Sequence, residues 1–345
     1  MNPIEALADQ LSYPRKITIT HHFNPDADAL GSSLGLMHYL QAKGHNCKVI
    51  SPNTMPEFLK WMPGANEVLI YELDKSAAEE WINESDMVFS LDYNHFSRTK
   101  IMEQTLASFK GIRVMMDHHL FPDLASFDYG VSTPLKSSTC EMVYDFINLQ
   151  GDNSLININI GKCLYAGCMT DTGSFKFPCT TGSVHRMVAD LMDRGLETAP
   201  IHQAIFDTYQ ENRLRFLGYV LSEKMIIFPE QHTALIAISR EELNKFHIST
   251  GDTEGIVNYP LSLNNIIFST FISEREAEMR ISFRSKGNFN VNDFARSHFA
   301  GGGHANAAGG RSELTLTQTV EQYIQIIHAH EKQLQQCFQE LQASV

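Results

Sequence analysis

RKITITHHFNPDADALGSSLGLMHYLQAK, residues 15–43, holds a strand, a turn and a helix in one run. Residues 15–21 alternate Ile17 and Ile19 with polar neighbours, which is the period of a strand. Across 29–43, Leu30, Leu34, Met37 and Leu40 recur at helical spacing, and Gly44 stops the helix. The turn between them reads His21-His22-Phe23-Asn24-Pro25-Asp26-Ala27-Asp28. Pro25 stiffens it. Asp26 and Asp28, two apart in a turn, can face one point, and His22 precedes Asp26 by four. Hard cations favour carboxylate oxygens, and imidazole shifts the choice toward Mn, Fe or Zn. Helix capping by the two aspartates is the plain alternative.

Outward from this run, the same alternation continues. Strand-like runs lie near 46–50, 67–71, 86–91 and 111–116, and helical patterns at 137–149 and about 155–170. Strand–helix alternation predicts an α/β fold with a doubly wound, mainly parallel sheet. A helix over 183–194 and a long helical stretch over 200–224 lead to a second set of strands, at 225–228, 233–238, 266–272 and 278–284. A helix near 317–341 ends this smaller, α+β part. The expected division is 1–185, a helical linker over 186–224, and 225–345.

The acid–histidine pattern recurs. Asp92 ends the apolar run 87–91, and Asp117-His118-His119 ends the run 112–116. In open parallel sheets, sites lie at the carboxyl ends of strands. Three strand ends thus deliver acids or histidines to one edge. Asp171 follows the apolar helical stretch 161–167, where an unpaired carboxylate is costly and a metal would resolve the cost. His21 is read as structural or surface, Cys140, Cys163 and Cys168 as core thiols, and Ser137, Ser138 and Thr139 as helix caps, with phosphate contact the alternative.

Composition bounds the function. The 345 residues are 43% hydrophobic, enough for a large core. With 27 basic against 40 acidic residues the net charge is −13, which argues against a long nucleic-acid groove. No apolar run reaches the ~20 residues of a membrane span. Six cysteines without a C-x-x-C pair, and an N-terminus unlike a secretory signal, lead us to expect a cytoplasmic protein.

His22, Pro25, Asp26, Asp28, Gly31 and Ser32, then Asp92, then Asp117-His118-His119, then Asp171, resemble the DHH phosphoesterase superfamily position by position. The resemblance implies two divalent ions, Mn preferred and Mg possible. His22 and Asp26 would hold one; Asp28, His118 and Asp171 the other; Asp92 would bridge them. Asp92, Asp117, His118 and His119 would be the catalytic set, with His119 facing the substrate phosphate and Asp117 orienting its neighbour. Such a pair shares and acidifies a water, which then attacks the phosphorus in line.

Residues 301–310 read GGGHANAAGG, and Arg280, Arg284, Lys286 and Arg296 precede them against a single acid, Asp293. Glycines free backbone N–H groups for an anion; a plain tight turn is the alternative. Arg284 suits a terminal phosphate, while Arg280 and Arg296 read as solvated. This stretch resembles the DHHA1 domain, and the chain resembles the oligoribonuclease (nanoRNase) and 3′-phosphoadenosine 5′-phosphate phosphatase group. The first part is then a DHH metal-binding catalytic domain. In the second, Arg284, Lys286, Gly302, Gly303 and His304, together with His119 of the first, would hold short RNA or a phosphorylated nucleotide in a cleft between domains. Alternatives are a phosphodiesterase of linear or cyclic dinucleotide messengers, a pyrophosphatase and a non-catalytic nucleotide-binding regulator. The oligomeric state is open, a homodimer included.

Overall fold

A computed structural model describes residues 1–208, 210–249, 251–276 and 278–343. The chain divides into two compact units, 1–208 and 209–345.

In the first unit the strands are β1 (Asn2–Pro3), β2 (Lys16–Thr20), β3 (Asn46–Ser51), β4 (Leu69–Ile70), β5 (Met87–Leu91), β6 (Ile112–Asp117) and β7 (Tyr129–Ser132). The helices are α1 (Ala27–Ala42), α2 (Lys75–Asn83), α3 (Glu103–Ser108), α4 (Thr139–Leu149), α5 (Ile158–Asp171), α6 (Gly182–Asp193) and α7 (Ala199–Phe206). Among the described residues the sheet runs β1-β7-β6-β5-β2-β3-β4, and every pair is parallel. The direction of winding reverses at β2 and β5, so the carboxyl ends of these two neighbours mark the topological switch point. Side chains alternate between two cores. Ile17, Ile19, Phe89 and Val114 face α1, α4, α5 and α6. Val88 and Met115 face α2 and α3 through Ala78, Ile82 and Leu106.

The buried helix α1 positions the site. From Ala27 to Met37 every residue is buried, as expected of a helix apolar on all sides. It meets α5 with almost no space between. A Cβ on Gly31 would stand 2.4 Å from the Cys163 carbonyl oxygen, and one on Gly167 would stand 2.4 Å from Cys140 Sγ and 2.7 Å from Asp28 Cα. Glycine is what lets the ends of α1 and α5, and with them Asp28 and Asp171, come together.

In the second unit the elements are α8 (Glu211–Tyr219), β8 (Met225–Phe228), β9 (Thr233–Ile238), α9 (Arg240–Lys245), β10 (Phe268–Glu274), β11 (Met279–Ser285), α10 (Val291–His298), β12 (Gly302–His304), β13 (Ala307–Ser312), α11 (Leu316–Ala329) and α12 (Glu331–Ala343). The sheet order is β12-β13-β11-β10-β9-β8, with β9–β10 parallel and the other pairs antiparallel. An aromatic core of Phe268, Phe283, Phe294 and Tyr323 joins one face to α10 and α11. Phe216, Ile236 and Phe271 pack on the other face.

Three expectations change. The stretch 200–224 is not one helix: it breaks after Phe206, at the division of the chain. Within 186–224 no free linker stands, because α6 buries Val184, Met187 and Leu191 in the first core and α8 buries Phe216 in the second. The run at 67–71 pairs over two residues only, and β7 was not expected, since Tyr129 and Val131 alternate over only four residues. Among the described residues no helix is long and apolar enough to cross a membrane.

The α1–α5 contact makes a stability prediction. Gly167→Ala should lower the free energy of unfolding by about 1–3 kcal/mol through overpacking. Gly218→Ala in α8, where a Cβ meets nothing within 4 Å, should be neutral or stabilising by up to about 1 kcal/mol. Urea denaturation of the two variants beside the parent checks both; equal stability of Gly167→Ala and parent contradicts the packing argument.

Candidate active site

The site forms where β2, β5 and β6 end. His22 follows β2, with its Nδ1–H donating to the Phe23 carbonyl at 3.0 Å. Its Nε2 lies 3.3 Å from Asp92 Oδ2 and 3.8 Å from Asp26 Oδ2. Asp26 caps α1: its Oδ1 accepts the N–H groups of Asp28 and Ala29, each at 3.0 Å. The capping reading is therefore correct for one oxygen of Asp26, and the other faces His22. Asp92 directly follows β5 with φ +62°, in the left-handed region, a conformation that costs a non-glycine residue roughly 1–2 kcal/mol.

A second group adjoins the first. His118 Nε2 lies 3.4 Å from Asp92 Oδ1, 3.3 Å from Asp171 Oδ2 and 3.9 Å from Asp28 Oδ2, and its Nδ1 faces the Lys136 carbonyl at 3.4 Å. Asp28 is completely buried. Its carboxylate accepts the N–H groups of Thr139 at 2.7 Å and Cys140 at 2.8 Å, where the positive end of α4 begins. Asp117 holds His119 twice: Oδ2 accepts the backbone N–H at 2.9 Å and Oδ1 accepts Nδ1–H at 2.7 Å. The ligand-type atoms of His22, Asp26 and Asp92 lie within 4.8 Å of one another, and so do those of Asp28, Asp92 and His118. Asp92 belongs to both groups.

Burial and mutual repulsion set the charges. Loss of hydration and the neighbouring Asp92 push the Asp28 carboxyl up to about 7. Loss of hydration, with Asp28 and Asp26, holds Asp171 well above the carboxylate range. Burial would also raise Asp92, but hydrogen bonds from His118 and His22 outweigh it and hold the carboxyl well below its usual value. Burial opposes charge on His22, yet Asp92 and Asp26 raise it to about 9. The set thus keeps protons between its acceptors. A divalent cation is the other way to separate them. Imidazoles whose Nδ1 is turned to a backbone carbonyl, as in His22 and His118, present Nε2 in the usual orientation of a ligating histidine once its proton is released. The donor set of N and O atoms suits ions of the Mn, Fe or Zn kind, and four carboxylates balance two such ions.

Some residues stand differently from the reading above. Of the two alternatives for His21, structural or surface, it takes the structural one: it is fully buried, burial lowers it to about 4, and its Nε2 has no hydrogen-bond partner. Ser138 caps α4 through Glu141 N–H at 3.0 Å, and Ser137 binds the buried Glu141. Thr139, expected as a cap, donates its hydroxyl to Asp92 Oδ1 at 3.1 Å. No local signal joins residues so far apart in sequence. Asn94 was missed as well: its Nδ2 donates to the carbonyls of His119 at 3.2 Å and Leu120 at 3.1 Å. Cys140, Cys163 and Cys168 are buried and free.

In the second unit, Arg284 projects from β11 and donates to the Phe283 carbonyl at 2.9 Å, its charge opposed by burial. Lys286 donates to the Leu263 carbonyl at 3.0 Å. The glycine run is not an open anion cradle. Gly302–His304 form β12, paired with Ala307–Gly309, and the Gly303 N–H donates to Asn292 Oδ1 at 2.9 Å. The glycines serve close approach instead: a Cβ on Gly301 would lie 2.1 Å from the Gly309 carbonyl oxygen.

Comparison with known proteins follows the same division. The model for the N-terminal domain of the DHH family matches residues 16–168, and that for the DHHA1 domain matches 233–336. The bifunctional oligoribonuclease and PAP phosphatase NrnA of Thermus thermophilus is 28% identical over 90% of this chain and 89% of its own length. The cyclic-di-AMP phosphodiesterase GdpP of Geobacillus thermodenitrificans is 27% identical over 94% of this chain but 49% of its own length. The crystal structure of an exopolyphosphatase-related protein from Bacteroides fragilis superposes with a TM-score of 0.93 at 38% identity, covering 96% of this chain and 97% of that one.

Protons and a divalent ion compete for the same atoms. Asp28, at about 7, and His22, at about 9, must release protons for their atoms to face a cation. Manganese affinity should therefore rise with pH between about 6 and 9, roughly tenfold per pH unit for each proton released. Calorimetry in two buffers of different protonation enthalpy measures the release. An affinity independent of pH, with no proton release, contradicts this account.

Proposed function

The chain belongs to the DHH family and carries a DHHA1 domain, and from that premise we propose that it is a metal-dependent phosphoesterase of short oligoribonucleotides and 3′-phosphoadenosine 5′-phosphate. One observation carries the reading: Asp92 is shared by two acid–histidine groups at the switch point of a parallel sheet. The similarity to NrnA, named as an oligoribonuclease and PAP phosphatase, supports the substrate class.

In this reading His22, Asp26 and Asp92 would hold one divalent ion, and Asp28, Asp92, His118 and Asp171 a second, with manganese preferred. Such ions would supply an acidified water and polarise the phosphoryl oxygens. The protein's own groups do the rest. The Nδ1 contacts of His22 and His118 with backbone carbonyls and the left-handed turn at Asp92 fix the donor positions. Thr139 restrains the shared carboxylate through its hydroxyl. Asp117 takes the Nδ1–H of His119 and so orients the ring that would face the substrate phosphate. Arg284, Lys286 and His304 of the second unit would hold the far end of the substrate, while Gly302 and Gly303 shape the strand that carries His304. The net charge of −13 favours a short substrate over a long strand.

A second reading, a phosphodiesterase of linear or cyclic dinucleotide messengers, uses the same groups and is favoured by the similarity to GdpP.

A substrate panel separates the two. It contains 3′-phosphoadenosine 5′-phosphate, RNA of about two to five and about 24 nucleotides, cyclic and linear diadenylate, and pyrophosphate, with lengths chosen to bracket short and long strands. Each is assayed with manganese and then with chelator. Metal-dependent turnover of the bisphosphate and the shortest RNAs is expected; turnover of the diadenylates alone selects the second reading. Asp92→Asn and His118→Ala should each lower kcat roughly a thousandfold or more, because the metal pair supplies several kcal/mol of charge stabilisation, with the circular dichroism spectrum retained. Full activity in either variant contradicts the shared-carboxylate mechanism.

A further inference from the structure

One buried carboxylate of the first unit takes no part in the reaction described above. Glu141, in the first turn of α4, is 1% exposed. A buried charge is costly without partners, and this one has four. Its Oε2 accepts the Ser137 N–H at 2.9 Å and the Ser137 hydroxyl at 2.8 Å. Its Oε1 accepts Lys136 Nζ at 3.0 Å and the hydroxyl of Ser183, from α6, at 2.6 Å. Burial would raise the carboxyl, but these donors outweigh it and hold it below its usual value.

The residues that Glu141 grips lead directly into the site. The Lys136 carbonyl faces His118 Nδ1 at 3.4 Å. The first three amides of α4, which have no partner within the helix, are all taken. Thr139 and Cys140 donate to Asp28 at 2.7 and 2.8 Å, and Glu141 donates to Ser138 Oγ at 3.0 Å. The Thr139 hydroxyl reaches Asp92 Oδ1 at 3.1 Å. In a capping box the carboxylate of the third helical residue turns to the amide of the N-cap. Here the N-cap is Ser138, and the Glu141 carboxylate goes one residue further back, to Ser137. It thereby ties the chain before α4 to the first turn of the helix. Residues 136–140 stand between this one buried charge and three members of the acid–histidine groups, His118, Asp28 and Asp92.

We infer that Glu141 is a positioning residue for the second acid–histidine group. By holding Lys136 and Ser137, it sets where the Lys136 carbonyl meets His118, where the Thr139 and Cys140 amides meet Asp28, and where the Thr139 hydroxyl meets Asp92. Its effect on turnover rests on the phosphoesterase reading; its effect on the loop does not.

The test uses the full chain with Glu141→Ala and Glu141→Gln, beside Phe146→Leu. The last removes aromatic packing of α4 against Tyr39 and Phe89 and leaves residues 136–141 unaltered. An amide has one acceptor oxygen, so in Glu141→Gln the NH2 group faces one pair of donors. Three quantities are read: hydrogen exchange of the Thr139 and Cys140 amides in metal-free protein, manganese binding by calorimetry, and kcat and KM on an RNA dinucleotide. In Glu141→Ala the two amides should lose protection beyond any change in global stability. One manganese ion should bind about ten- to a hundredfold more weakly and the other within about threefold of the parent; kcat should fall about ten- to a hundredfold with KM within about twofold. Glu141→Gln should show smaller losses in the same direction. Unchanged protection or unchanged manganese affinity in Glu141→Ala overturns the inference. So do equal losses in Phe146→Leu at equal stability, which would make Glu141 a support of α4 alone. If Glu141→Ala does not fold, Glu141→Gln is read in the same way, and parent-like protection and affinity there overturn the inference. If the parent turns over no substrate, yet Glu141→Ala loses protection and manganese affinity as stated, the positioning role stands and the phosphoesterase reading fails.

Discussion

The carboxylates of Asp28, Asp92 and Asp171 converge on His118 Nε2 between 3.3 and 3.9 Å, and their mutual repulsion is the constraint to which much of the first unit answers. Like charges at this spacing in a buried setting separate unless something holds them. The backbone amides at the start of α4 hold Asp28, the Thr139 hydroxyl holds Asp92, and glycine contacts between α1 and α5 bring Asp28 and Asp171 together. The same crowding explains why Asp28 and Asp171 retain protons while Asp92, flanked by two imidazoles, does not. A site built this way is nearly complete in its geometry before any cation arrives, and protons occupy the places a cation would take.

Much of this was legible along the chain, and for a definite reason. Parallel strands place chemistry at their carboxyl ends, so an apolar run followed by His22, Asp92 or Asp117-His118-His119 can be read locally. The strands β2, β3, β5 and β6 and the helix α1 followed from periodicity, and Asp26 from its place before a helix. What could not be read are contacts that join distant segments. Thr139 lies 47 residues from the Asp92 oxygen it binds, and its local pattern is that of a helix cap, which also describes its neighbour Ser138. Asn94 looks like an ordinary loop residue until the fold brings the loop after β6 beside it. Glycines 31 and 167 interrupt helices with no local advantage; only the approach of α1 to α5 explains them.

In the second unit, local reading misjudged the physical role of a motif. Three consecutive glycines invite the interpretation of a loop whose amides are free for an anion. Here the strand β12 uses that freedom to lie close against β13, and Asn292 takes the amide of Gly303. That leaves the side chains of Arg284, Lys286 and His304, rather than backbone groups, as the candidates for the proposed phosphate contact. The same limit of local reading merged α7 and α8 into one helical stretch, because residues on both sides of the division after Thr208 have the composition of a helix.

Cys140 and Cys168 have a consequence of their own. Both lie within the buried layer that carries the acid–histidine groups, and Cys140 is adjacent to Asp28 in space, its thiol donating to the Asp28 carbonyl. Burial raises Cys168 to about 12, and burial together with the charge of Asp28 raises Cys140 well above the usual thiol range. Neither is a thiolate at neutral pH, and only the thiolate binds metals strongly or reacts with oxidants. The two sulfur atoms fill space beside the acid–histidine groups and, as neutral thiols, offer no reactive group to peroxide.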